Sequence, residues 1–286
     1  MFNFYGIFIA LGILVGSLVV DRARKILNTK YCILNIDIFD ILPWVLIPGI
    51  IGARLYHVFD YWDYYRKDLW EILMVWQGGL GIFGGILGGT IGIWIFLKLK
   101  TKNKKPKTSF DPELKTEGQT KNAKIGNIFL SYLDLGVIGL SIGQAIGRWG
   151  NYFNQELYGW PTNLSWGIYI RPENRLLGFE EFERFHPLFL YESLGCLVIF
   201  VLLLVVAHFS ARLRSRNKFR YYKEHGSIFF LYLFLYSFLR FWLEYLRIES
   251  WEMGGVRATQ ILSSGLMLIS ARFLLKQFLH PVIGRA

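Results

Sequence analysis

Cysteine is scarce in this sequence, whose 286 residues include only two, Cys32 and Cys196. They lie far apart and form no CxxC pattern, so the sequence indicates neither a disulfide framework nor a thiolate metal site. Histidine is also rare, with five residues, and no spacing of histidines and carboxylates supports a bound metal. We therefore expect no metal site.

Charged residues are few as well, at 19%, whereas hydrophobic residues make up 53% and aromatic residues 17% of the chain. This composition is too apolar for a soluble domain of this length. Several apolar blocks reach the roughly 20 residues that a helix needs to cross a bilayer. We predict an all-α polytopic membrane protein with about seven transmembrane helices, at about 5–20, 38–59, 80–97, 128–146, 188–208, 228–246 and 259–275.

The net charge of +11 comes mainly from basic residues between these blocks, which indicates membrane topology rather than binding of nucleic acid. Arg22, Arg24 and Lys25 follow the first block and no positive charge precedes it, the reverse of a cleaved signal peptide. We predict one integral membrane domain over 1–286, with the N-terminus outside and the C-terminus in the cytoplasm. A lysine-rich cytoplasmic loop is predicted at about 98–126, and an extracytoplasmic polar and aromatic segment at about 148–186, between helices four and five.

Glycine recurs at intervals of four residues within several blocks. Small residues at this spacing allow two helices to approach closely in lipid, which is the interpretation that we favour. The alternative is that the glycine-rich run 78–85 lets the backbone touch a ligand. The pairs are Gly12 and Gly16, Gly84 and Gly88, Gly85 and Gly89, and the triplet Gly139, Gly143 and Gly147.

A dense group of polar side chains follows the fourth block, in the stretch GQAIGRWGNYFNQELYG. It contains the guanidinium of Arg148, the amides of Asn151, Asn154 and Gln155, and the carboxylate of Glu156. An arginine at the membrane edge presents planar, bidentate donors to a phosphate and stays charged. The alternative is an interfacial arginine that extends to lipid headgroups. The surrounding amides and carboxylate favour a functional site.

A second polar group lies inside the sixth block. Arg240 and Glu244 are four residues apart and therefore share one helix face, and Arg247 follows three residues later. Ionisable residues at such depth are costly and usually face the protein interior or a polar cavity. The alternative is a purely structural Arg–Glu pair. Arg54 in GARLYH and His186 in HPLFLYE are further candidates, although each is also typical of an interface anchor.

Together these residues predict arginines at the outer membrane face that bind an anionic headgroup and stabilise a leaving phosphate. A transporter or lipid-translocating protein with an arginine-lined anion path is the alternative. Such a protein would show repeat symmetry and broken helices, and neither is clear in the sequence. A membrane scaffold without chemistry would leave the group around Arg148 unexplained.

The stretch GQAIGRWGNYFNQELYG closely resembles the signature of the prolipoprotein diacylglyceryl transferase family. Further similar motifs extend over nearly the whole chain, in the order of that family. They are FYGIFIALG, GARLYHV, GGLGIFGG, FHPLFLYES, LRFWLEYLR and TQILS.

The resemblance implies a seven-helix enzyme of the bacterial plasma (inner) membrane with its active site toward the outer face. Its partners would be phosphatidylglycerol and lipobox-containing precursor proteins, and no cofactor or metal is expected. The diacylglyceryl group would move to the thiol of the lipobox cysteine, forming a thioether and releasing glycerol phosphate, as the first step of lipoprotein maturation.

The resemblance also assigns the candidate residues to roles. The catalytic candidates are Arg148, Arg240, Glu244 and Tyr5. The substrate-binding candidates, which combine the family motifs with the polar groups described above, are Arg148, Asn151, Asn154, Glu156, Gly159, Arg54, Arg247 and His186.

Three features depart from the family pattern. Phe83 stands where some relatives carry a histidine proposed as the base, so we expect Phe83 to pack against the lipid and the thiol to ionise near the arginines. Relatives usually carry a short stretch before the residue that corresponds to Tyr5, so we expect the true start to lie upstream of Met1. The lysine-rich loop is long for the family and is expected to be a tolerated insertion.

Overall fold

The computed structural model describes residues 4–27, 37–75, 81–102, 125–215, 225–248, 252–253 and 255–279. The α-helices of this described part are α1 (Phe4–Leu27), α2 (Ile38–Asp60), α3 (Trp62–Tyr65), α4 (Ile82–Lys102), α5 (Ile125–Asn154), α6 (Leu188–Ser215), α7 (Ser227–Leu243) and α8 (Ala258–Leu279). Short 3-10 helices lie at Leu69–Leu73, Pro172–Asn174 and Glu244–Leu246. Two antiparallel strand pairs join β1 (Ile168–Tyr169) to β2 (Arg184–Phe185) and β3 (Glu252–Met253) to β4 (Val256–Arg257).

Within the described ranges, six helices are long and apolar enough to cross a membrane, which confirms the prediction of an all-α polytopic membrane protein. The predicted third block, 80–97, falls in α4, a helix of 21 residues that is not among the six. The six are Phe4–Arg24, Phe39–Phe59, Gly126–Asn154, Leu188–Ser210, Ser227–Leu246 and Ala258–Gln277.

The chain forms two compact units, of which unit 1 contains residues 1–29 and 130–286 and unit 2 contains residues 30–129. The expectation of a single domain over the whole chain stays a prediction. In unit 2, α2 and α4 pack antiparallel with their backbones in contact at glycines. A methyl group on Gly52 would lie 3.1 Å from the Cα atom of Gly88. Small residues are needed where two helices approach this closely.

In unit 1, α1 packs antiparallel against α5, again through glycine. A methyl group on Gly12 would lie 2.7 Å from the carbonyl oxygen of Gly143, and one on Gly16 would lie 2.7 Å from that of Gly139. These contacts support the close-packing interpretation of the glycine spacing.

Helices α5, α6 and α7 enclose the apolar core of unit 1. Ile138, Ile199 and Leu203 are buried there, whereas Val198 and Val201, on the same helix as Ile199, are 59% and 51% exposed. In a soluble protein such an exposed apolar face would be costly, but a helix surrounded by lipid requires one. The core therefore lies inside the bundle, and the apolar outer face of α6 suits contact with acyl chains.

A buried carboxylate fixes the start of α7. Asp134 of α5 accepts hydrogen bonds from the backbone N–H groups of Gly226 and Phe229, each at 2.8 Å. The first N–H groups of a helix have no partner within the helix, and here another helix supplies one. Ser131 and the Nδ1 atom of His225 lie 2.5 Å apart beside this cap. The cap holds α7, and with it Arg240, in place relative to α5.

A small lobe connects α5 to α6. Tyr158, Ile170 and Phe185 form its buried centre, and the Tyr158 hydroxyl donates to the carbonyl oxygen of Asn174 at 2.8 Å. This lobe falls within the polar segment predicted at about 148–186. The predicted helix end near residue 146 is wrong, however, because α5 continues to Asn154. Contacts with other parts of the protein stabilise this polar helical extension, so the end of the apolar block does not mark the end of the helix.

Candidate functional site

Arg148 lies in the polar extension of α5, next to the start of α1. Tyr5 of α1 packs against Gly150, where a methyl group would lie 2.7 Å from the Cδ2 atom of the Tyr5 ring. Glycine at position 150 therefore allows α1 to approach α5 two residues after Arg148. The structure thus brings Tyr5, a predicted catalytic residue, to the helical turn that carries Arg148.

A carboxylate on α6 joins the two predicted essential arginines. Glu192 accepts from Nη2 of Arg148 through Oε1 at 2.8 Å and from Nη1 of Arg240 through Oε2 at 3.4 Å. The Tyr236 hydroxyl also donates to Oε1 of Glu192, at 2.9 Å. The Glu192 side chain is only 6% exposed, whereas those of Arg148 and Arg240 are 26% and 17% exposed. The buried carboxylate therefore fixes both arginines, while part of each guanidinium side chain stays exposed.

Glu244 extends this arrangement on the other side of Arg240. Its Oε2 atom lies 3.3 Å from Nη2 of Arg240 and 3.8 Å from Nη1 of Arg247. Arg257 donates to the main-chain carbonyl oxygen of Glu244. Glu244 is fully buried, and among the described residues its Oε1 atom has no hydrogen-bond partner.

The directly paired groups of this cluster are three guanidinium groups and two carboxylates, which leaves one net positive charge. Burial lowers the pKa of Arg247 below its ordinary value, and repulsion from Arg240 lowers it further. An arginine stays protonated at neutral pH despite such a shift. A further negative charge would therefore be stabilised at this site, whereas a further positive charge would be repelled.

An amide connects Arg148 to the turn that ends α5. Asn151 is buried, accepts from Nη1 of Arg148 at 3.3 Å, and donates to Oε1 of Glu156 at 2.8 Å. Gln155 and Leu157 adopt positive φ angles of 52° and 54°, which fold the chain back sharply after the helix. Such backbone costs roughly 1–3 kcal/mol at a residue with a side chain, so the surrounding contacts must hold it.

Gly159 and His186 lie where the lobe meets the end of α7. The Gly159 N–H donates to the His186 carbonyl oxygen at 2.9 Å, and Gly159 forms an isolated bridge with Arg247. A methyl group on Gly159 would lie 2.5 Å from the carbonyl oxygen of Leu246. The Nδ1 atom of His186 lies 3.2 Å from the Tyr191 hydroxyl. Gly159 thus allows a close approach that positions Arg247.

Asn154 and Arg54 are the remaining predicted site residues. Asn154 is exposed at the end of α5. Arg54 belongs to unit 2, where it donates to the main-chain carbonyl oxygens of Glu71, Ile72 and Met74. The substrate-binding roles assigned to both residues stay predictions.

Other expectations fall outside the described residues or side chains. The side chain of Phe83 and most of the lysine-rich loop are in this group. Within the residues that the structure describes, no group of three or more His, Cys, Asp or Glu side chains lies close enough together to hold a metal ion.

Sequence reasoning missed Glu192 and Tyr236 as site residues. Tyr236 lies four residues before Arg240, so it shares a helix face with that arginine. Glu192 lies in the FHPLFLYES motif and is a carboxylate in the first turns of an apolar helix. An unpaired carboxylate at that depth is costly, and this cost is the signal that should have identified it.

Comparison with known proteins adds an independent result. A family model described as prolipoprotein diacylglyceryl transferase matches residues 1–111 and 120–276. The chain is similar to proteins named phosphatidylglycerol–prolipoprotein diacylglyceryl transferase from three bacteria. For Fervidobacterium nodosum the identity is 41% over 269 residues, covering 94% of this chain and 79% of the relative. For Finegoldia magna it is 38% over 264 residues, covering 92% and 86%. For Thermotoga maritima it is 37% over 268 residues, covering 93% and 78%.

Proposed function

The chain belongs to the prolipoprotein diacylglyceryl transferase family, and we propose that Arg148 and Arg240 bind the phosphate of phosphatidylglycerol in this enzyme. It is a phosphatidylglycerol–prolipoprotein diacylglyceryl transferase, which carries out the first step of lipoprotein maturation. This assignment replaces the transporter and scaffold hypotheses. Its substrates, by this proposal, are phosphatidylglycerol and the lipobox cysteine of a precursor protein.

The observation that carries the proposal is the shared carboxylate. Arg148 and Arg240 come from different helices, and Glu192 holds both guanidinium groups with one buried side chain. Each guanidinium has five N–H donors in a planar fork, so donors remain for a phosphate after these contacts. The partial exposure of both arginines leaves a side from which a headgroup can approach.

The reaction follows from these charges. The thiolate of the precursor cysteine attacks the carbon of the diacylglyceryl group that is bonded to the phosphate oxygen, so a C–S bond forms while that C–O bond breaks. The electron pair of the C–O bond goes to the departing oxygen, and glycerol phosphate leaves with the added negative charge. Arg148 and Arg240 stabilise that charge as it develops. The thiol proton is lost to solvent, and nearby positive charge lowers the pKa of the cysteine that loses it.

The other site residues support the arginines. Asn151 orients Arg148 and is itself held by Glu156, while Glu244 aligns Arg240 with Arg247. Tyr5 packs beside Gly150 and brings α1 to the turn that carries Arg148. We assign these residues to positioning and to binding of the headgroup.

The protein is a multi-pass membrane protein of a bacterial family. We propose that its N-terminus lies outside and its C-terminus in the cytoplasm of the plasma membrane. Two observations support this orientation. Basic residues concentrate after the first span and in the lysine-rich loop, as the positive-inside rule requires. The antiparallel packing of α4 along α2 supports a seventh crossing, which gives the termini opposite sides.

Transfer in a defined membrane tests the proposal. The purified protein, reconstituted in vesicles with labelled phosphatidylglycerol, should attach thioether-linked lipid to a lipobox peptide. Arg148→Lys and Arg240→Lys should each lose most of this activity, because an ammonium group cannot copy the planar fork. Arg66→Lys is the matched control, since Arg66 is an exposed arginine paired with Asp63 in unit 2. Normal transfer by both site variants would refute the phosphate assignment.

A further inference from the structure

A segment rich in exposed aromatic residues follows α2 directly. Residues 61–74, here called the aromatic segment, contain α3 and the 3-10 helix Leu69–Leu73. Tyr61, Trp62, Tyr64 and Trp70 are 55%, 51%, 56% and 67% exposed, and Asp63, Arg66, Lys67, Asp68 and Glu71 are interspersed among them. Aromatic side chains with a polar edge are typical of the bilayer–water interface, where one end contacts lipid and the other contacts water.

Arg54 ties this segment to α2. Its Nε atom donates to the carbonyl oxygen of Ile72 at 2.9 Å, and Nη2 donates to that of Met74 at 3.2 Å and to that of Glu71. Its guanidinium lies 5.0 Å from the ring centre of Tyr65. Arg54 is 6% exposed, so these contacts enclose it. One side chain thus binds three main-chain carbonyl groups within four residues, at the C-terminal end of the 3-10 helix Leu69–Leu73.

The position of Arg54 sets the depth of the segment. Arg54 lies five residues before Phe59, the last residue of the candidate span Phe39–Phe59. Five residues correspond to about 7 Å of helix rise, and an arginine side chain can extend by a similar distance toward the membrane surface. The carbonyl groups that bind Arg54 therefore lie at or below the level where α2 ends, which is the boundary between hydrocarbon and headgroups.

The two partners satisfy each other at that depth. A guanidinium inside a span must find acceptors within the protein, because hydrocarbon offers none. The carbonyl groups at the end of the 3-10 helix need donors within the protein for the same reason. The neighbouring side chain of Glu71 also raises the pKa of Tyr64 above its ordinary value, by hydrogen bonding and by its negative charge. The aromatic segment is thereby folded as one piece at the end of α2.

We propose that the aromatic segment lies within the headgroup region of the bilayer, and that Arg54 is the positioning residue that fixes it there. The partner is the lipid surface. The segment continues directly from a membrane-crossing helix, and its contacts with Arg54 hold its end at the depth where that helix ends. The proposal depends on the membrane assignment and is independent of the phosphate site formed by Arg148 and Arg240.

A spin label at position 70 tests the depth. Trp70→Cys is labelled with a nitroxide in the full chain, with Cys32 and Cys196 replaced by alanine, and reconstituted in vesicles of phosphatidylcholine and phosphatidylglycerol. The ratio of relaxation by oxygen to relaxation by a water-soluble nickel chelate should be several-fold higher at this position than at a water-exposed position. Leu177→Cys is the water-exposed control, because Leu177 is 93% exposed in the lobe between α5 and α6 and should show the lower ratio.

Two results would overturn the proposal. One is a label at position 70 that is as accessible to the chelate as the label at position 177. The other is spin–spin broadening that disappears on dilution with unlabelled protein, which would mean that a second copy covers the segment. Transfer activity, measured on the same vesicles, reports the phosphate site separately, since label depth does not depend on turnover.

Arg54→Lys tests the anchoring role. A lysine cannot reach three carbonyl groups with the same geometry, so the label at position 70 should become more mobile and several-fold more accessible to the chelate. Arg66→Lys in the same segment should change neither quantity. Unchanged mobility in Arg54→Lys would contradict the role of Arg54. If that variant fails to fold, the depth measurement in the protein with intact Arg54 still decides where the segment lies.

Discussion

Replacing Glu192 with glutamine removes one negative charge from between Arg148 and Arg240 while leaving the side-chain volume almost unchanged. The amide oxygen of glutamine can still accept a hydrogen bond from Tyr236 or Arg148. The change therefore isolates the charge of Glu192 from its packing. Two neighbouring guanidinium groups then share the site without the carboxylate that compensates them.

The size of the effect follows from burial. Breaking a buried ion pair by removing one partner costs about 3–5 kcal/mol in the free energy of unfolding. Arg148 and Arg240 are 26% and 17% exposed, so solvent screens part of their repulsion. We therefore expect a loss of about 3 kcal/mol, at the low end of that range. At roughly 2–4 °C per kcal/mol, the Tm of Glu192→Gln should fall by about 6–12 °C.

Phosphatidylglycerol should reverse much of this loss. Its phosphate supplies negative charge to the same two arginines, so it should stabilise Glu192→Gln more than it stabilises the wild-type protein. The measurement is thermal unfolding in detergent with phosphatidylglycerol, and with phosphatidylcholine as a zwitterionic comparison. Ser193→Ala is the matched control, because it removes the buried hydrogen bond from Ser193 to the Ala145 carbonyl oxygen without changing charge.

The control variant should lose about 1 kcal/mol and respond to phosphatidylglycerol like the wild-type protein. An equal stabilisation by phosphatidylglycerol in Glu192→Gln and in the wild-type protein would refute the reasoning. It would mean that the phosphate does not share the arginines that Glu192 holds.

Three further predictions concern the site and the topology. Arg148→Lys and Arg240→Lys should each lower kcat/KM by about 10–100-fold, because each loses a charged hydrogen bond worth roughly 1.5–3 kcal/mol. Mass spectrometry of the thioether product measures this rate, and near-normal turnover would contradict the fork geometry. Gly159→Ala should lower the free energy of unfolding by about 1–3 kcal/mol through overpacking. Gly136→Ala, where the added methyl group meets open space, should not, and equal shifts of Tm would count against the close approach of Gly159 to Leu246. Replacing residues 102–122 with a short Gly/Ser linker should leave turnover largely intact, and a protease site placed there that is cut only from outside would overturn the orientation.

The membrane helices could be predicted from the sequence because the length of an apolar block reports a span directly. The end of α5 could not, since the helix continues past the apolar block to Asn154. Tertiary contacts stabilise that extension, because Tyr5 packs against Gly150 and Arg148 forms an ion pair with Glu192. The composition of a segment indicates whether it lies in lipid. The protein contacts of its residues depend on parts of the chain that are distant in sequence.

The candidate site shows the same division. The family motifs brought Arg148 and Arg240 forward as a pair, but nothing in their spacing indicates which group lies between them. Glu192 is 44 residues from Arg148 and 48 from Arg240 in sequence. Arg54 illustrates the converse, because an arginine in a motif can donate equally well to a phosphate or to main-chain carbonyl groups. The contacts of Arg54 with three main-chain carbonyl groups become visible only in the fold.

The cap that Asp134 provides for α7 has a consequence for how the protein is made. Asp134 and Gly226, which the cap joins, are 92 residues apart, so the ribosome completes α5 and α6 well before the N–H groups that satisfy this carboxylate exist. During that interval a nascent chain carries an acidic group that the bilayer does not tolerate well. A chain truncated before residue 226 would keep this defect permanently. The same carboxylate that stabilises the finished enzyme is thus expected to make an incomplete chain less stable in the membrane than the full chain.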